Sequence, residues 1–386
     1  MAISQITNKS ITDATITAAD MATGAVEGAF TTQIGRRNLI INGAMQVAQR
    51  GTSETGVTSM KYANAPDHYQ LVINNMGAYT VSQSTDAPDG FANSYKIQCT
   101  TADASPAASD YFFFWTKHEG QDVQHLKFGT ASAQQLTLSF WVKSNMTGTW
   151  QVNFRDKDNG RLITGTYTTN SSDTWEYKTI TVDGDTGSSG FTNDNNESFS
   201  LEFPLGAGTD FTSGTAPTAW EGSVNANRAA SNTVNIASST SNYWAITGVQ
   251  LEVGSVATPF EHISYGESLA LCQRYYTKSY GQGVNPGTAT IDGSVGRHGV
   301  AGTGTTGEMF TSTVFKVEMR GIPTVLAYDM SGNSGKCAAT NFGVVETQNN
   351  TCNEVHIQTS GCHFQRPSGG DTACAITVHY TADAEL

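Results

Sequence analysis

Gln135-Leu-Thr-Leu-Ser-Phe-Trp-Val-Lys-Ser144 places Leu136, Leu138, Phe140 and Val142 at every second position, with Thr137, Ser139, Trp141 and Lys143 between them. A period of two sends successive side chains to opposite faces of an extended chain, so this stretch is a half-buried strand. Just downstream, Trp150, Val152 and Phe154 repeat the alternation as far as Asp156-Lys-Asp-Asn-Gly160, where Asn159-Gly160 favours a tight hairpin. Residues 175–182 and the series Phe199, Leu201, Phe203 read as further strands. Between Tyr243 and Val253, Trp244 and Ile246 share one parity while Val249, Leu251 and Val253 take the other, and a bulge at Gly248 reconciles them. Ten or so such stretches with no helical period predict an all-β chain whose centre, residues 36–263, is an antiparallel jelly-roll sandwich.

The flanks read differently. Ile6, Ile11, Ile16, Met21 and Val26 recur every five residues, which fits neither a helix nor a strand. Short turns that each point one side chain inward would produce this stripe, and a partner surface or copies of the same chain would have to cover it; a disordered Thr/Ala-rich tail with a chance period of five is the alternative. Residues 1–35 are therefore read as a repeat-like N-terminal anchor. After the sandwich, Ser264 and Glu267 form a capping box that opens one connecting helix over 264–280, with Leu271, Cys272, Tyr275 and Tyr276 at helical spacings. A Gly/Thr-rich stretch at 281–307 follows. Strands around Val314–Arg320, Pro323–Tyr328, Asn353–Thr359 and Ala375–Thr381, joined by loops 329–341, 346–353 and 360–373, then predict a smaller C-terminal β-sandwich domain over 281–386.

Composition excludes several classes. The 386 residues carry 21 Lys plus Arg against 34 Asp plus Glu, a formal charge of −13, which is the wrong sign for a surface that neutralises phosphate. Nucleic acid is not an expected partner. Met1-Ala-Ile-Ser-Gln-Ile lacks the basic start and apolar core of a signal peptide, and no window approaches the ~18 apolar residues of a membrane span, so synthesis and assembly in a cytoplasm are expected. Cys99, Cys272, Cys337, Cys352, Cys362 and Cys374 show no C-x-x-C spacing and read as free thiols.

No catalytic constellation stands out. Asp156, Asp158 and Gly160 resemble the start of a calcium loop, but no acid follows at the twelfth position, and a hairpin turn explains them. Cys352, His356, Cys362 and His363 are ligand types, yet their spacing matches no compact zinc pattern; they read as thiols and strand histidines. No metal, cofactor or catalytic residue is assigned. Sugar binding needs aromatic faces beside hydrogen-bonding groups, and the candidates are Trp115, Trp141, Trp150, Trp175, Trp220 and Trp244. Trp150 and Trp244 fall in core parity. Trp220, in a loop followed by Asn225 and Arg228, has the best arrangement for an exposed platform, although a Trp that caps the end of a sandwich is the commoner outcome. Trp141 points outward and could pack on a neighbouring protomer.

Two segments resemble a known family. Arg36-Arg-Asn-Leu-Ile-Ile-Asn-Gly-Ala-Met-Gln-Val-Ala-Gln-Arg-Gly51 is one, and the other is Gly248-Val-Gln-Leu-Glu-Val-Gly-Ser-Val-Ala-Thr-Pro-Phe-Glu261 running on through Ser264-Tyr-Gly-Glu-Ser-Leu-Ala-Leu-Cys-Gln-Arg-Tyr-Tyr276. Both resemble tail-fibre and receptor-binding proteins of tailed bacteriophages, and Val317-Glu-Met-Arg-Gly-Ile-Pro-Thr-Val325 is similar to a terminal β-domain found behind that helix. The resemblance implies a virion-borne, non-enzymatic homotrimer with a carbohydrate-binding-like sandwich. It would dock on a tail, neck or adaptor protein through residues 1–35 and attach the virion to a host-surface glycan or protein, without inserting into a membrane. Relatives usually carry Asp-Arg-Trp near the first core strand, whereas this chain has Asp67-His68-Tyr69. A fibre decorating the capsid or neck and a glycan depolymerase are the alternatives. Tyr275, Tyr276 and the outward side of strand 135–144 are expected to supply the trimer surface. Arg297, His298, His363 and Arg366, in distal loops, are expected to supply polar receptor contacts.

Overall fold

The alternation read from the sequence becomes thirteen strands between Ser53 and Val253 in a computed structural model that describes residues 36–298, 309–341, 344–367 and 373–386. The stripe Ile6, Ile11, Ile16, Met21 and Val26 lies outside the described residues. In chain order the strands are β1 (Ser53–Val57), β2 (Lys61–Tyr62), β3 (Gln70–Asn74), β4 (Ala78–Ser84), β5 (Ser94–Thr101), β6 (Tyr111–Glu119), β7 (Leu136–Ser144), β8 (Gly148–Asp156), β9 (Arg161–Thr169), β10 (Glu176–Val182), β11 (Glu197–Ala207), β12 (Glu221–Gly222) and β13 (Tyr243–Val253). They form two antiparallel sheets. The front sheet runs β1-β4-β5-β13-β7-β10 and the back sheet β12-β9-β8-β11-β6-β3-β2. Leu136, Leu138, Phe140 and Val142 meet Phe112, Phe114, Leu201 and Phe203 between the layers, and Trp150 and Trp244 are fully buried there, as their parity requires.

Gly248 is the bulge. It sits at φ 61° where the β13–β7 register slips between Thr247 and Gln250, and a Cβ there would stand 2.7 Å from the Phe91 ring. The turn at Asp156–Gly160 is a hairpin loop joining β8 to β9: the Asp156 carboxylate accepts the Asn159 N–H at 3.0 Å and Gly160 takes φ 60°.

The two segments that carry the family resemblance lie against each other. Leu39 N–H donates to Leu251 O at 2.9 Å, Val249 N–H donates to Gly43 O at 2.9 Å, and the Asn38 side-chain oxygen accepts from Ile40 and Leu251. The Glu261 carboxylate accepts the Arg37 and Asn38 N–H groups at 3.1 and 2.7 Å. A Cβ on Gly43 would stand 2.1 Å from Val249 O, so only glycine permits this approach. Both segments therefore form one seam along the front sheet.

The helix spans Tyr265–Gln273 and opens on the expected capping box of Ser264 and Glu267, but it is shorter than 264–280. Tyr276–Lys278 is already strand β14, paired with the last strand, Ala373–Asp383, so the distal sheet begins before residue 281. Tyr275 and Tyr276 are buried within the chain and offer no exposed trimer surface. The remaining strands are β15 (Val295–His298), β16 (Met309–Val314), β17 (Thr324–Tyr328), β18 (Lys336–Asn341), β19 (Val344–Thr351), β20 (Asn353–Gln358), β21 (Gly361–Arg366) and β22 (Ala373–Asp383). β14, β15, β17 and β18 all pair with β22, while β16, β21 and β20 form a separate three-stranded sheet. Residues 315–320, expected as strand, are not. Phe315 and Met319 are nevertheless buried, with their N–H groups on Ser360 O and Thr359 O. Segments 346–351 and 361–366, expected as loop, are strand.

A second core of Phe364, Ile376, Val378 and Tyr380 with the thiols of Cys337, Cys352 and Cys362 fills the distal body; Cys99 and Cys272 are also buried free thiols. The distal body is latched to the sandwich. Arg50 reaches Asp383 at 2.8 Å and Glu385 at 3.1 Å, His68 meets Glu385 at 3.2 Å, and Lys117 Nζ donates to Leu386 O at 2.6 Å. Asp67, His68 and Tyr69 are buried in this junction or in the sandwich core, so none of them presents a surface to a glycan. Among the described residues no helix is long and apolar enough to cross a membrane.

Candidate glycan-binding face

Alternation that buries Leu138, Phe140 and Val142 turns Trp141 and Lys143 outward on the front sheet. Register then decides what stands beside them. Tyr177 on β10 is directly opposite Trp141, with ring centres 5.3 Å apart, and Lys143 aligns through Ala245 with Lys96 on β5. Tyr243, on the same face of β13, carries the Lys96 ammonium over its ring at 4.6 Å. Trp175, just before β10, completes an aromatic patch over three adjacent strands, β13, β7 and β10, about 10 Å across at the usual strand spacing. Tyr177 is 45% exposed, and Trp141, Trp175 and Tyr243 are half-buried.

Two carboxylates hold the patch in place. Asp86 accepts the Trp175 indole N–H at 3.0 Å and the Lys143 ammonium at 2.8 Å; Asp173 accepts the Tyr243 hydroxyl at 2.6 Å. Burial opposes ionisation of Asp86, but Lys143 and Trp175 together overcome it and hold its carboxyl below the usual range, and the hydroxyls of Tyr243 and Ser172 lower that of Asp173. At the rim, Lys178 and the Ser171 and Asn170 groups overcome a burial penalty and bring Glu176 down to about 2. The face thus offers aromatic surface for the apolar side of a sugar ring, ionised acceptors for its hydroxyls and two ammonium donors. Neither aspartate has the raised pKa of a general acid in glycoside cleavage.

Of the tryptophans considered from sequence, Trp141 and Trp175 lie on this face, whereas the preferred platform and the distal polar candidates fall elsewhere. Trp220 caps the end of the sandwich: its indole N–H donates to Asp183 O at 2.6 Å and its ring packs edge-on against Phe128 at 5.3 Å. Asn225 is exposed and accepts from Arg228 at 3.3 Å, but the Arg228 guanidinium turns inward to Glu202 and lies 4.5 Å over the Phe113 ring. Trp220 and Arg228 therefore make no joint platform. Arg297 and His298 lie on strand β15, opposite Ile376 and Ala375. Arg366 is buried and donates to Asn350, whereas His363 is exposed on β21, on a strand and not in a loop. Tyr177, Tyr243, Asp86 and Asp173 were not singled out from sequence. Their signal was the outward parity shared with Trp141, which carries meaning only once the strand register is known.

No family model matches the chain, and no curated protein does. Among solved structures it is similar to the enzymatically active domain of tailspike protein 4 of bacteriophage CBA120, at 13% identity and a TM-score of 0.29 over 56% of this chain and 21% of that one. It is also similar to a carbohydrate-binding module in complex with β-1,4-galactotriose, at 9% identity and a TM-score of 0.27 over 57% of this chain and 100% of that one. A third is the family 11 carbohydrate-binding module of Clostridium thermocellum in complex with a β-1,3-1,4-mixed-linked tetrasaccharide, at 12% identity and a TM-score of 0.26, over 54% of this chain and 99% of that one. The matched part thus spans about a fifth of the tailspike domain and nearly the whole of each module. At these values the likeness identifies no family.

Proposed function

We propose that this chain is a non-enzymatic glycan-binding adhesin of a bacteriophage tail fibre, and that the front-sheet patch of Trp141, Tyr177, Trp175 and Tyr243 is its sugar platform. One observation carries the reading: four aromatic side chains share a solvent-facing sheet surface with two ionised aspartates and two lysines, on strands whose other face is a rigid core. The resemblance of residues 36–51 and 248–276 to fibre proteins supports placement on a virion, assembled in the host cytoplasm. Docking through residues 1–35 and a homotrimer belong to the same reading. Three copies would raise weak single-site sugar contacts to avid attachment through effective concentration.

The test is retention of the full chain on immobilised host-surface polysaccharide. Trp141→Ala and Tyr177→Ala are each expected to weaken retention at least tenfold, while Trp220→Ala leaves it unchanged. Retention that survives the Trp141/Tyr177 double variant would move the site off this face, and shortened polysaccharide after incubation would make the chain a depolymerase.

A further inference from the structure

The hairpin of β20 and β21 carries a feature that the sandwich does not need. Val355 pairs with His363 and Gln358 with Gly361, so three steps along β20 match two along β21 and one residue is extra. The irregularity falls beside His356, which adopts φ 50°. Histidine visits that left-handed region more readily than most residues, but the conformation is still uncommon, and a bulge of this kind re-aims a side chain. Here the ring of His356, which strict alternation would send to the opposite face from Val355 and His363, lies against the His363 ring with centres 5.3 Å apart and planes at 64°. Both side chains are exposed. Packing stability does not account for a strained backbone that brings two exposed imidazoles together.

The separation matches chelation. A zinc ion bound tetrahedrally by two imidazole nitrogens at about 2.0–2.1 Å sets the ring centres roughly 5 Å apart. We propose that His356 and His363 form a two-imidazole site for a divalent transition metal of the zinc, copper or nickel class, with water in the remaining positions. Nitrogen donors of this type suit those ions, whereas calcium and magnesium require oxygen ligands. The pair supplies two ligands by itself, and among the described residues no group of three His, Cys, Asp or Glu that could hold a metal ion is found. Open positions leave the ion able to take a further oxygen ligand from a partner molecule.

Zinc chloride titrated into the full chain, followed by calorimetry and by the histidine side-chain resonances, tests this. The expected result is one saturable site per chain that shifts two imidazoles only. His356→Asn keeps a residue that tolerates the left-handed backbone, and His363→Asn leaves the backbone untouched, so neither needs to disturb the hairpin. Each is expected to abolish the site, while His125→Asn, on the sandwich, retains it. Native chain without saturable zinc binding would show that the two rings merely pack edge to face, and binding undiminished in His356→Asn or His363→Asn would place the metal elsewhere; either result overturns the proposal.

Discussion

Arg50→Ala probes the latch between the sandwich and the distal body. Arg50 is 7% exposed, lies 2.8 Å from Asp383, 3.1 Å from Glu385 and 3.9 Å from Asp67, and stacks 3.8 Å over the Tyr276 ring. Without it, Asp67 loses its nearest cation and Glu385 keeps only His68. Removing one partner of a buried pair costs about 3–5 kcal/mol, and this variant is expected to lose that much at neutral pH.

The loss depends on pH with a definite sign. Burial opposes ionisation of Glu385, but Arg50 and His68 overcome it and hold the carboxyl below the usual range. A depressed carboxyl contributes stability above its unfolded value, near 4.3, that disappears as pH falls through the folded value. Asp67 has the opposite shift: burial raises it against the pull of Arg50, so removing the arginine raises it further and penalises its ionised form. Both effects make the gap between native and variant widest at neutral pH and narrower at pH 4, and it closes only below the depressed folded value of Glu385. Urea unfolding at the two values measures it. A gap below about 0.5 kcal/mol at pH 7, or one equal at both values, would refute the account.

Three further outcomes are expected. Gly248→Ala should lose about 1–3 kcal/mol in thermal unfolding, because the new Cβ meets the Phe91 ring at a φ of 61°. Burial, with His68 and Arg36 adding to it, lowers His118 to about 3, so the proton prefers the unfolded chain; stability is complete above the unfolded value near 6.5, falls by about 2 kcal/mol by pH 5, and should fall by that much less in His118→Gln, read from urea midpoints at pH 7 and 5. Truncation after Tyr280 removes β22 from β14 and uncovers Arg50 and Lys117, so light scattering should find the fragment aggregating where the full chain does not.

What could be read from sequence was whatever one strand or one turn decides. The parity of Leu136–Val142, the slip at Gly248, the Asn159-Gly160 turn and the Ser264–Glu267 box are local, and each appears as expected. Pairing partners were not local. Tyr276–Lys278 continues the spacing of the helix, yet β22 offers it a strand partner, and tertiary pairing overrides a short helical pattern. Phe315 and Met319 alternate like a strand but are buried from an irregular segment whose N–H groups find partners at Thr359 and Ser360. The aromatic face and the histidine pair were hidden for the same reason: Trp141 meets Tyr177, and His356 meets His363, only across strands, so no spacing along the chain announces them.

The seam sharpens what the family resemblance can mean. Its two segments are occupied with each other: Leu39 and Val249 through main-chain bonds, Asn38 and Glu261 through side chains, and Gly43 through an approach no larger residue allows. None of these groups reaches Trp141, Tyr177, Asp86 or Asp173. The residue types that make the segments recognisable are therefore demanded by closure of the sandwich, and a chain with the same seam can carry any side chains on the outward half of the front sheet without straining it. Ligand choice is free to change on a fixed scaffold. Exchanging Trp141 and Tyr177 together for polar residues should accordingly abolish sugar retention at a stability cost within about 1 kcal/mol, whereas Trp244→Ala, one strand away but facing the core, should cost about 3–5 kcal/mol. Chemical denaturation run beside the polysaccharide assay separates the two, and a double exchange that unfolds the chain would show that the face is part of the scaffold after all.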